Sequence, residues 1–419
     1  MTKRKNIVVL CGQYYPDAGA PVSCFFPYIN ELSKNNQVIV VCRKTSSVPV
    51  SEYKGTISFR QLTVWYNSLR YYLQDKIKAG QNVGSNTFLL NLVRVYSSLR
   101  TMFCYPTQHS WIIRKYTQTL ITLEKELGSI DAIISISFPF CSHIAALNYK
   151  KSHPSIKWIT YSTDPFTLNE CQYERVAFKS HKRRWAQKKE KEIYDNADAN
   201  IVTNELYSML INTFNQHKEK TIAFPYLITS ILHANSSAFV SRTIINCVYA
   251  GSLYSDIRNP KVMVSIFENV GPNIHLTLYA DGDLKIREFL KGIHSDRVEV
   301  RGLVDRKEYE RIITEEADIL INIGNTTTLQ SPSKLLELVS TGRPIVNFYS
   351  HKDFGYEVIE RYPLGLNVPN EGFSKEQVSV LDEFCTNNNG KILEFETIKN
   401  LYPNHIKENH MKILNELLG

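Results

Sequence analysis

One segment, residues 331–344, has the residue types of a helix start that binds an anion. It reads Ser-Pro-Ser-Lys-Leu-Leu-Glu-Leu-Val-Ser-Thr-Gly-Arg-Pro. Pro332 marks the change from loop to helix, and Ser331 or Ser333 can cap that helix. The free N–H groups at a helix start suit a diphosphate. Lys334 opposes the helix dipole in the first turn, and a bound anion would explain its position. A solvated amphipathic helix is the alternative interpretation.

The same segment places a carboxylate one turn into the predicted helix. Glu337 can accept hydrogen bonds from two adjacent ribose hydroxyls. Gly342 and Pro344 predict the end of this helix and the start of the next strand. A diphosphate site beside a carboxylate that suits ribose indicates a nucleotide ligand.

A second candidate lies in the N-terminal half, where Asp164 follows a predicted strand. A carboxylate in that place can orient a hydroxyl group or take its proton. The alternative is an ordinary turn-forming Asp in front of Pro165. His143, at the start of a predicted helix, is more typical of a structural histidine than of a catalytic one.

The elements that must position these residues follow a strand, helix, strand order. Two continuous apolar runs flank a helical pattern near the N-terminus, as in a parallel doubly wound sheet. The order predicts an N-terminal domain over residues 1–205, with helices and loops in the region 52–125. The strand candidates are residues 6–10, 37–42, 132–137, 157–161 and 200–203.

The pattern restarts after a predicted linker at 206–243. Strands and helices then alternate, which predicts a second Rossmann-like domain over 244–400. Residues 401–419 predict a C-terminal helix that packs back towards the N-terminal domain. The predicted fold class is α/β, with two doubly wound Rossmann-like domains that face a central cleft, the default ligand site.

Composition narrows the class of protein and its compartment. The chain has 419 residues, a formal net charge of +8 and a pI near 8.9, which favours anionic partners. Its eight cysteines are scattered singly, as in a reducing compartment. The first residues are typical of a strand rather than a signal peptide, and the uncharged stretch 132–149 is interrupted by Pro139. We therefore expect a cytoplasmic protein.

The strongest charge feature is a basic run at residues 179–191. It is either a solvated helix face or a surface that docks on an anionic membrane. No recognition motif for nucleic acid accompanies it, so nucleic acid is not an expected partner. The run contains Lys182, Arg183, Arg184, Lys188 and Lys189.

Residues 331–344 resemble the donor-site signature of GT-B glycosyltransferases, in particular the retaining family 4 enzymes. In these enzymes an acidic residue five positions before a glycine holds the donor ribose, and Glu337 and Gly342 have that spacing. A second glutamate is common eight residues earlier, where this chain has Leu329 with Gln330 beside it. The resemblance implies a retaining hexosyltransferase, and this departure leaves the inverting outcome open.

Further loops resemble those that line the donor in this family. Residues 15–20 are similar to its Gly-rich loop, and residues 280–283 and 300–304 to its nucleotide loops. After residues 248–251, Ser252 stands where an arginine is frequent, and Arg258 lies near the usual lysine. The resemblance implies donor contacts at Gly19, Gly251, Ser252, Arg258, Gly282, Gly302, Leu303, Ser333, Lys334, Leu335 and Glu337.

Two N-terminal loops, 135–139 and 158–166, resemble paired loops of bacterial surface-polysaccharide transferases and imply an acceptor-side role for Asp164. The expected reaction moves a sugar from a nucleoside-diphosphate sugar to a hydroxyl of a glycan or lipid-linked saccharide. We expect no cofactor and no metal, and a location in the cytoplasm or on the inner face of the cell membrane. A nucleotide-sugar epimerase and a non-catalytic nucleotide-sugar-binding subunit are the alternatives.

Overall fold

A computed structural model describes residues 4–14, 20–44, 57–104, 110–169, 173, 176–214, 216, 218–234, 243–326 and 334–419. The chain forms two compact units. One consists of Met1–Pro225 with His410–Gly419, and the other of Tyr226–Asn409.

The first unit is built on a parallel sheet. Its strands are β1 (Asn6–Leu10), β2 (Gln37–Arg43), β3 (Ile57–Leu62), β4 (Ala132–Ser137), β5 (Lys157–Ser162), β6 (Ala199–Val202) and β7 (Thr221–Ala223). The seven described strands lie in the order β3-β2-β1-β4-β5-β6-β7. Its helices up to β7 are α1 (Ala20–Asn35), α2 (Trp65–Lys78), α3 (Val83–Cys104), α4 (Ser110–Leu127), α5 (Cys141–Ser152), α6 (Lys179–Asn196) and α7 (Asn204–Thr213).

The second unit repeats this architecture. Its strands are β8 (Ile245–Leu253), β9 (Ile274–Gly282), β10 (Val298–Arg301), β11 (Ile319–Ile323), β12 (Ile345–Tyr349) and β13 (Gly365–Pro369). They lie in the order β10-β9-β8-β11-β12-β13, all parallel. The later helices are α8 (Lys261–Phe267), α9 (Leu284–Lys291), α10 (Arg306–Arg311), α11 (Lys334–Ser340), α12 (Phe354–Arg361), α13 (Lys375–Asn388), α14 (Phe395–Leu401) and α15 (Lys407–Leu418).

Continuous apolar strands fit these sheets because helices cover both faces of each sheet. In the second unit Cys247 and Ile319 pack in one buried cluster, whereas their chain neighbours Val248 and Leu320 pack in another. Successive side chains of a strand point to opposite faces, so both faces are core. The predicted α/β fold class, with two doubly wound sheets, is confirmed.

A polar ladder fixes the register of the last three strands of the second sheet. Asn322, Asn347 and Asn367 are paired across β11, β12 and β13. The Asn322 amide nitrogen donates to Asn347 Oδ1 at 2.7 Å, and the Asn347 amide nitrogen donates to Asn367 Oδ1 at 2.8 Å. A shift of one residue would separate these amides and turn them to the opposite face.

The predicted linker at 206–243 is largely regular structure where the structure describes it. Helix α7 covers its first residues up to Thr213, and β7 adds a strand to the first sheet. Beyond β7, Phe224 N–H donates to the Val202 carbonyl at 2.7 Å. Further on, Thr229 N–H donates to Ser340 Oγ within the second unit at 3.1 Å. The three-residue β7 was missed because it is too short to show a period of two.

Two other elements complete the first unit. Strand β3 lies at the edge of the sheet inside the region predicted as helices and loops, and it is only partly buried. The last helix belongs to this unit from His410 onward, and the Tyr28 hydroxyl hydrogen-bonds His410 Nδ1 at 2.6 Å. Among the helices of the described ranges, none has the length and apolar character needed to span a bilayer.

Candidate functional site

The strand order of the second unit reverses between β8 and β11, and the loops after these strands meet. Thr326 N–H donates to the Ile257 carbonyl at 2.9 Å, and the Thr326 hydroxyl donates to the Asp256 carbonyl at 2.8 Å. In open α/β sheets, ligands bind outside the carboxyl ends of the strands at such a reversal. This edge therefore forms the candidate site of the second unit.

Arg258 joins the two loops. Its Nε and Nη2 donate to Asn325 Oδ1 at 3.2 and 2.8 Å, and its Nη1 donates to the Ser252 carbonyl at 3.3 Å. A backbone bridge between Tyr254 and Arg258 closes the turn that carries it. The Tyr249 hydroxyl takes a further hydrogen bond from Arg258. Since a guanidinium has five N–H groups, one remains beyond these partners. The fork is thus fixed in orientation while it keeps a donor for an anion.

Gly251 and Lys334, predicted from separate motifs, lie against each other. A Cβ atom added to Gly251 would lie 3.2 Å from Lys334 Nζ and 3.4 Å from the Tyr249 hydroxyl. Lys334 Nζ also lies 5.2 Å from the centroid of the Tyr309 ring. The glycine therefore leaves the space that the lysine ammonium occupies.

The electrostatics around Lys334 favour an anion. Partial burial lowers the pKa of Lys334 below its ordinary value. Glu337 opposes this shift, whereas Arg258 and Arg306 add to it. A negatively charged ligand would restore the preference of the lysine for its charged form.

Glu337 has a partner that the sequence did not indicate. Both of its carboxylate oxygens accept from Arg306 Nη1, at 2.9 and 3.1 Å. The side chain of Glu337 is one quarter exposed. Burial and the nearby Glu337 carboxylate raise the pKa of Tyr309 well above its ordinary value. Since a carboxylate offers about four lone-pair sites, Glu337 can hold Arg306 and still accept from ribose hydroxyls.

The other predicted donor residues have different environments. Gly282 has a packing role, because a Cβ there would lie 2.5 Å from the Leu253 carbonyl oxygen. Gly302 has open space around its Cα, and Leu303 beside it is exposed. The side chain of Leu335 is buried in the core, which leaves only its backbone for a ligand.

Two predicted donor residues, Gly19 and Ser333, lie outside the described residues. The same holds for Leu329 and Gln330. Ser252 is described, and its carbonyl accepts from both Arg258 and the Tyr249 hydroxyl.

Asp164 lies in the first unit, two residues beyond β5. Its Oδ2 accepts from the Thr163 hydroxyl at 3.0 Å, and partial burial raises the pKa of Asp164 above its ordinary value. The buried Glu190 carboxylate holds the following backbone, accepting from the N–H groups of Phe166 at 3.2 Å and Thr167 at 3.0 Å. A carboxylate on a fixed loop with a raised pKa is suited to accept a proton.

The loops after β4 and β5 pack against each other, as their resemblance to paired loops predicts. The rings of Phe140 and Phe166 stack with centroids 3.6 Å apart. Gly12, after β1, has no room for a side chain because a Cβ there would overlap the Pro139 ring. The loops after β1, β4 and β5 therefore form one packed edge of the first sheet.

His143 is a structural residue. Its side chain is fully buried between two strands: Ser135 Oγ lies 2.7 Å from Nδ1, and Ser162 Oγ lies 3.0 Å from Nε2. Ser135 Oγ also accepts from Trp158 Nε1, and Ser162 Oγ accepts from the Tyr194 hydroxyl at 3.4 Å, so both imidazole nitrogens contact hydroxyl groups of one buried network. Burial lowers the pKa of His143 to about 3.

Sequence reasoning missed Arg306, Asn325 and Tyr309. Arg306 had a usable signal, because it opens the helix that follows the predicted loop 300–304. Asn325 had a weaker one, as a polar residue directly after a buried strand. Tyr309 carried none, since an aromatic residue in a helix is usually core. Within the described ranges, no group of three or more His, Cys, Asp or Glu residues could hold a metal ion.

No family model matches the chain, and no curated protein matches it in sequence. Solved structures do match. Sucrose-phosphate synthase from Thermosynechococcus elongatus is 14% identical, with a TM-score of 0.64, and the match covers 99% of this chain and 98% of that one. Anabaena HepE in complex with UDP and glucose is 13% identical, with a TM-score of 0.63 and 99% of each chain covered. The chain has the GT-B fold.

The same fold also occurs in an epimerase. The UDP-GlcNAc 2-epimerase from Methanocaldococcus jannaschii is 12% identical, with a TM-score of 0.54, and the match covers 98% of this chain and 99% of that one. At such identities the likeness establishes the fold alone. The function must be argued from the site.

Proposed function

We propose that this chain is a glycosyltransferase that moves a sugar from a nucleoside-diphosphate sugar to a hydroxyl group. The observation that carries the proposal is the cluster of Arg258, Lys334 and Arg306 with Glu337 at the switch point of the second sheet. Arg306 pairs with two carboxylates, Glu337 and Glu310. Three cations and two carboxylates still leave a net positive site at the place where α/β sheets bind nucleotides.

In the proposed reaction, the bond between the anomeric carbon and the diphosphate oxygen breaks, and a bond from that carbon to the acceptor oxygen forms. The diphosphate leaves with the bonding electrons, so negative charge develops on its oxygen. Arg258 and Lys334 stabilise that charge, and Glu337 holds the ribose. Asp164 takes the proton that the acceptor hydroxyl loses. No metal is needed for donor binding if these cations serve the diphosphate.

The donor class is proposed from chemistry and from the fold relatives together. HepE has been solved with UDP and with UDP-glucose. We propose a nucleoside-diphosphate hexose for this chain, with retention of the anomeric configuration. Retention and hexosyl transfer are what the resemblance of residues 331–344 to the retaining family 4 enzymes implies.

The acceptor is proposed to be a glycan or lipid-linked saccharide of a bacterial surface polysaccharide. The paired loops after β4 and β5, with Asp164, support this by their resemblance to such transferases. A cytoplasmic enzyme on the inner face of the membrane would meet that acceptor. In the basic run, Lys182 donates to two backbone carbonyls and Lys189 pairs with Glu192. Arg184 and Lys188 are exposed and suit a membrane surface better.

An epimerase is the second candidate, because an epimerase shares the fold. Such an enzyme would act on its nucleotide sugar without a second sugar substrate. A non-catalytic subunit would bind the nucleotide sugar and release nothing. Ser252 and Leu329, which replace usual donor-site residues, favour that third possibility.

One experiment separates these functions. The protein is first screened by thermal shift against nucleoside diphosphates and nucleotide sugars, and nucleotide release is then measured with and without glycan or lipid-linked acceptors. Acceptor-dependent release supports a transferase, and NMR of the product anomeric proton distinguishes retention from inversion. Interconversion of the nucleotide sugar without acceptor supports the epimerase. Binding without any turnover supports the subunit.

A further inference from the structure

Helix α3 carries an apolar stripe that faces solvent. Its members recur at helical spacing, and each is at least half exposed. The opposite side of the helix packs into the core through Leu90 and Val93. The stripe consists of Phe88, Leu92, Val95, Leu99 and Phe103.

Helix α2 extends this stripe into a wider surface. Trp65, Leu69 and Tyr72 also recur at helical spacing, and all three are exposed. The ring of Trp65 lies 5.5 Å from the ring of Tyr96 on α3, so the two helices present one continuous apolar face. Contiguous apolar patches of this kind mark sites of interaction with proteins or membranes.

Charge identifies the partner. Between Tyr53 and Leu123 the sequence has Asp75 as its only acidic residue, against nine lysines and arginines. Helix α3 has Arg94 and Arg100 and no acidic residue. A second copy of the chain would bring the same positive face against itself, which costs energy. An anionic lipid surface complements the charge and also accepts the apolar side chains.

The start of α6 joins the same surface. Lys182 Nζ donates to the carbonyls of Met102 at 2.8 Å and Phe103 at 2.6 Å, and Ala177 N–H donates to the Met102 carbonyl at 2.9 Å. Phe178, the residue before α6, is three quarters exposed. The basic run therefore begins where the apolar stripe of α3 ends.

We propose that the face formed by α2 and α3 docks this chain on an anionic lipid bilayer. Helix α3 lies in the plane of the interface with its stripe among the acyl chains, and the surrounding lysines and arginines contact the lipid phosphates. A helix of 22 residues is about 33 Å long, which is ample for such an in-plane contact. The inference specifies where the proposed transferase meets the membrane, and it does not depend on sugar transfer.

The test compares vesicle binding of two matched triple variants. Leu92→Gln, Val95→Gln and Leu99→Gln remove the centre of the stripe, where exposure is 50–56%. The control, Leu284→Gln, Phe373→Gln and Val380→Gln, removes exposed apolar residues of the second unit, which are 71, 49 and 42% exposed. Co-sedimentation uses phosphatidylcholine vesicles with and without phosphatidylglycerol, at physiological salt.

We expect the wild type to bind the anionic vesicles, the stripe variant to bind about a hundredfold more weakly, and the control to bind as the wild type does. Circular dichroism and the thermal midpoint verify that both variants fold. Equal binding by all three proteins, or no binding by the wild type, would overturn the inference. So would self-association of the wild type without lipid that the stripe variant loses. Nucleoside-diphosphate affinity, measured on the same samples, reports separately on the proposed transferase.

Discussion

Replacing Arg258 by Ala tests the donor site most directly. The guanidinium is held by Asn325, by the Ser252 carbonyl and by the Tyr249 hydroxyl, which leaves one N–H group for a ligand. That group lies in a fixed fork and suits a phosphate oxygen. A hydrogen bond to a charged group contributes about 1.5–3 kcal/mol, so losing it corresponds to roughly 10- to 10²-fold in affinity for a diphosphate.

The assay is isothermal titration calorimetry with a nucleoside diphosphate and with the same nucleoside without phosphates. Arg258→Ala should weaken only the diphosphate. Arg311→Ala is the matched control, because it removes the same charge from an exposed arginine paired with Glu308 and Glu316. Asn325→Ala keeps the Arg258 cation but removes the side chain that orients it. We therefore expect a loss of diphosphate affinity that is smaller than the loss caused by Arg258→Ala.

Turnover provides the second measurement for Arg258. If the residue stabilises the leaving diphosphate in the transition state, the substitution should slow donor turnover by roughly 10²-fold or more. Activity should also persist in EDTA. Equal loss of nucleoside and diphosphate binding would refute the assignment of Arg258 to the diphosphate. Turnover that requires magnesium or manganese and is indifferent to Arg258→Ala would refute the donor-site reasoning altogether.

Three further predictions concern single side chains. Glu337→Gln should weaken binding of nucleosides with an intact ribose roughly tenfold, because a neutral amide replaces a charged acceptor. Calorimetry with the nucleoside and its 2′-deoxy form measures this loss. An equal loss for the 2′-deoxynucleoside would contradict a ribose role for Glu337. The pKa of Lys334 lies below its ordinary 10.5, and the anion binds the protonated amine, so affinity for a nucleoside diphosphate should fall as the pH rises through that pKa. The variant Lys334→Met should lose this pH dependence. If the affinity of the variant depends on pH as that of the wild type does, Lys334 is not the group responsible. Burial keeps His143 neutral with a pKa of about 3, so the unfolded state binds its proton first and stability should decline as the pH falls from about 6.5 towards 3. Chemical denaturation at a series of pH values should show that the free energy of unfolding of His143→Gln falls less with decreasing pH than that of the wild type. The same fall in both proteins would mean that other groups cause the pH dependence.

The motifs of the candidate site could be recognised in the sequence because they are local. Gly251 lies near the carboxyl end of β8, Arg258 follows that strand, and Glu337 lies in the first turn of α11. The carboxyl ends of parallel strands lie along one edge of a sheet, which is where these residues meet. The structure places Lys334 against Gly251, which no local pattern indicated.

The pairing of charges was beyond the sequence. Arg306 and Glu337 are separated by 31 residues, and they meet because α10 and α11 pack together, with Tyr309 and Leu336 in one buried cluster. Charged side chains at helix starts are usually solvated, so residue type alone gives no partner. The same limit applies to Glu190, whose burial beneath the Asp164 loop turns a member of a charged run into a structural anchor.

The sequence by itself determined the class of the fold and the position of the phosphate and ribose candidates, because apolar periodicity and helix-start chemistry act over a few residues. The tertiary structure alone decided which face of α3 is exposed. An apolar helix of this composition is usually core, and only the packing of Leu90 and Val93 shows that one side is already buried while Leu92 and Leu99 face solvent. Burial depends on what the rest of the chain covers, and that is a property of the whole fold.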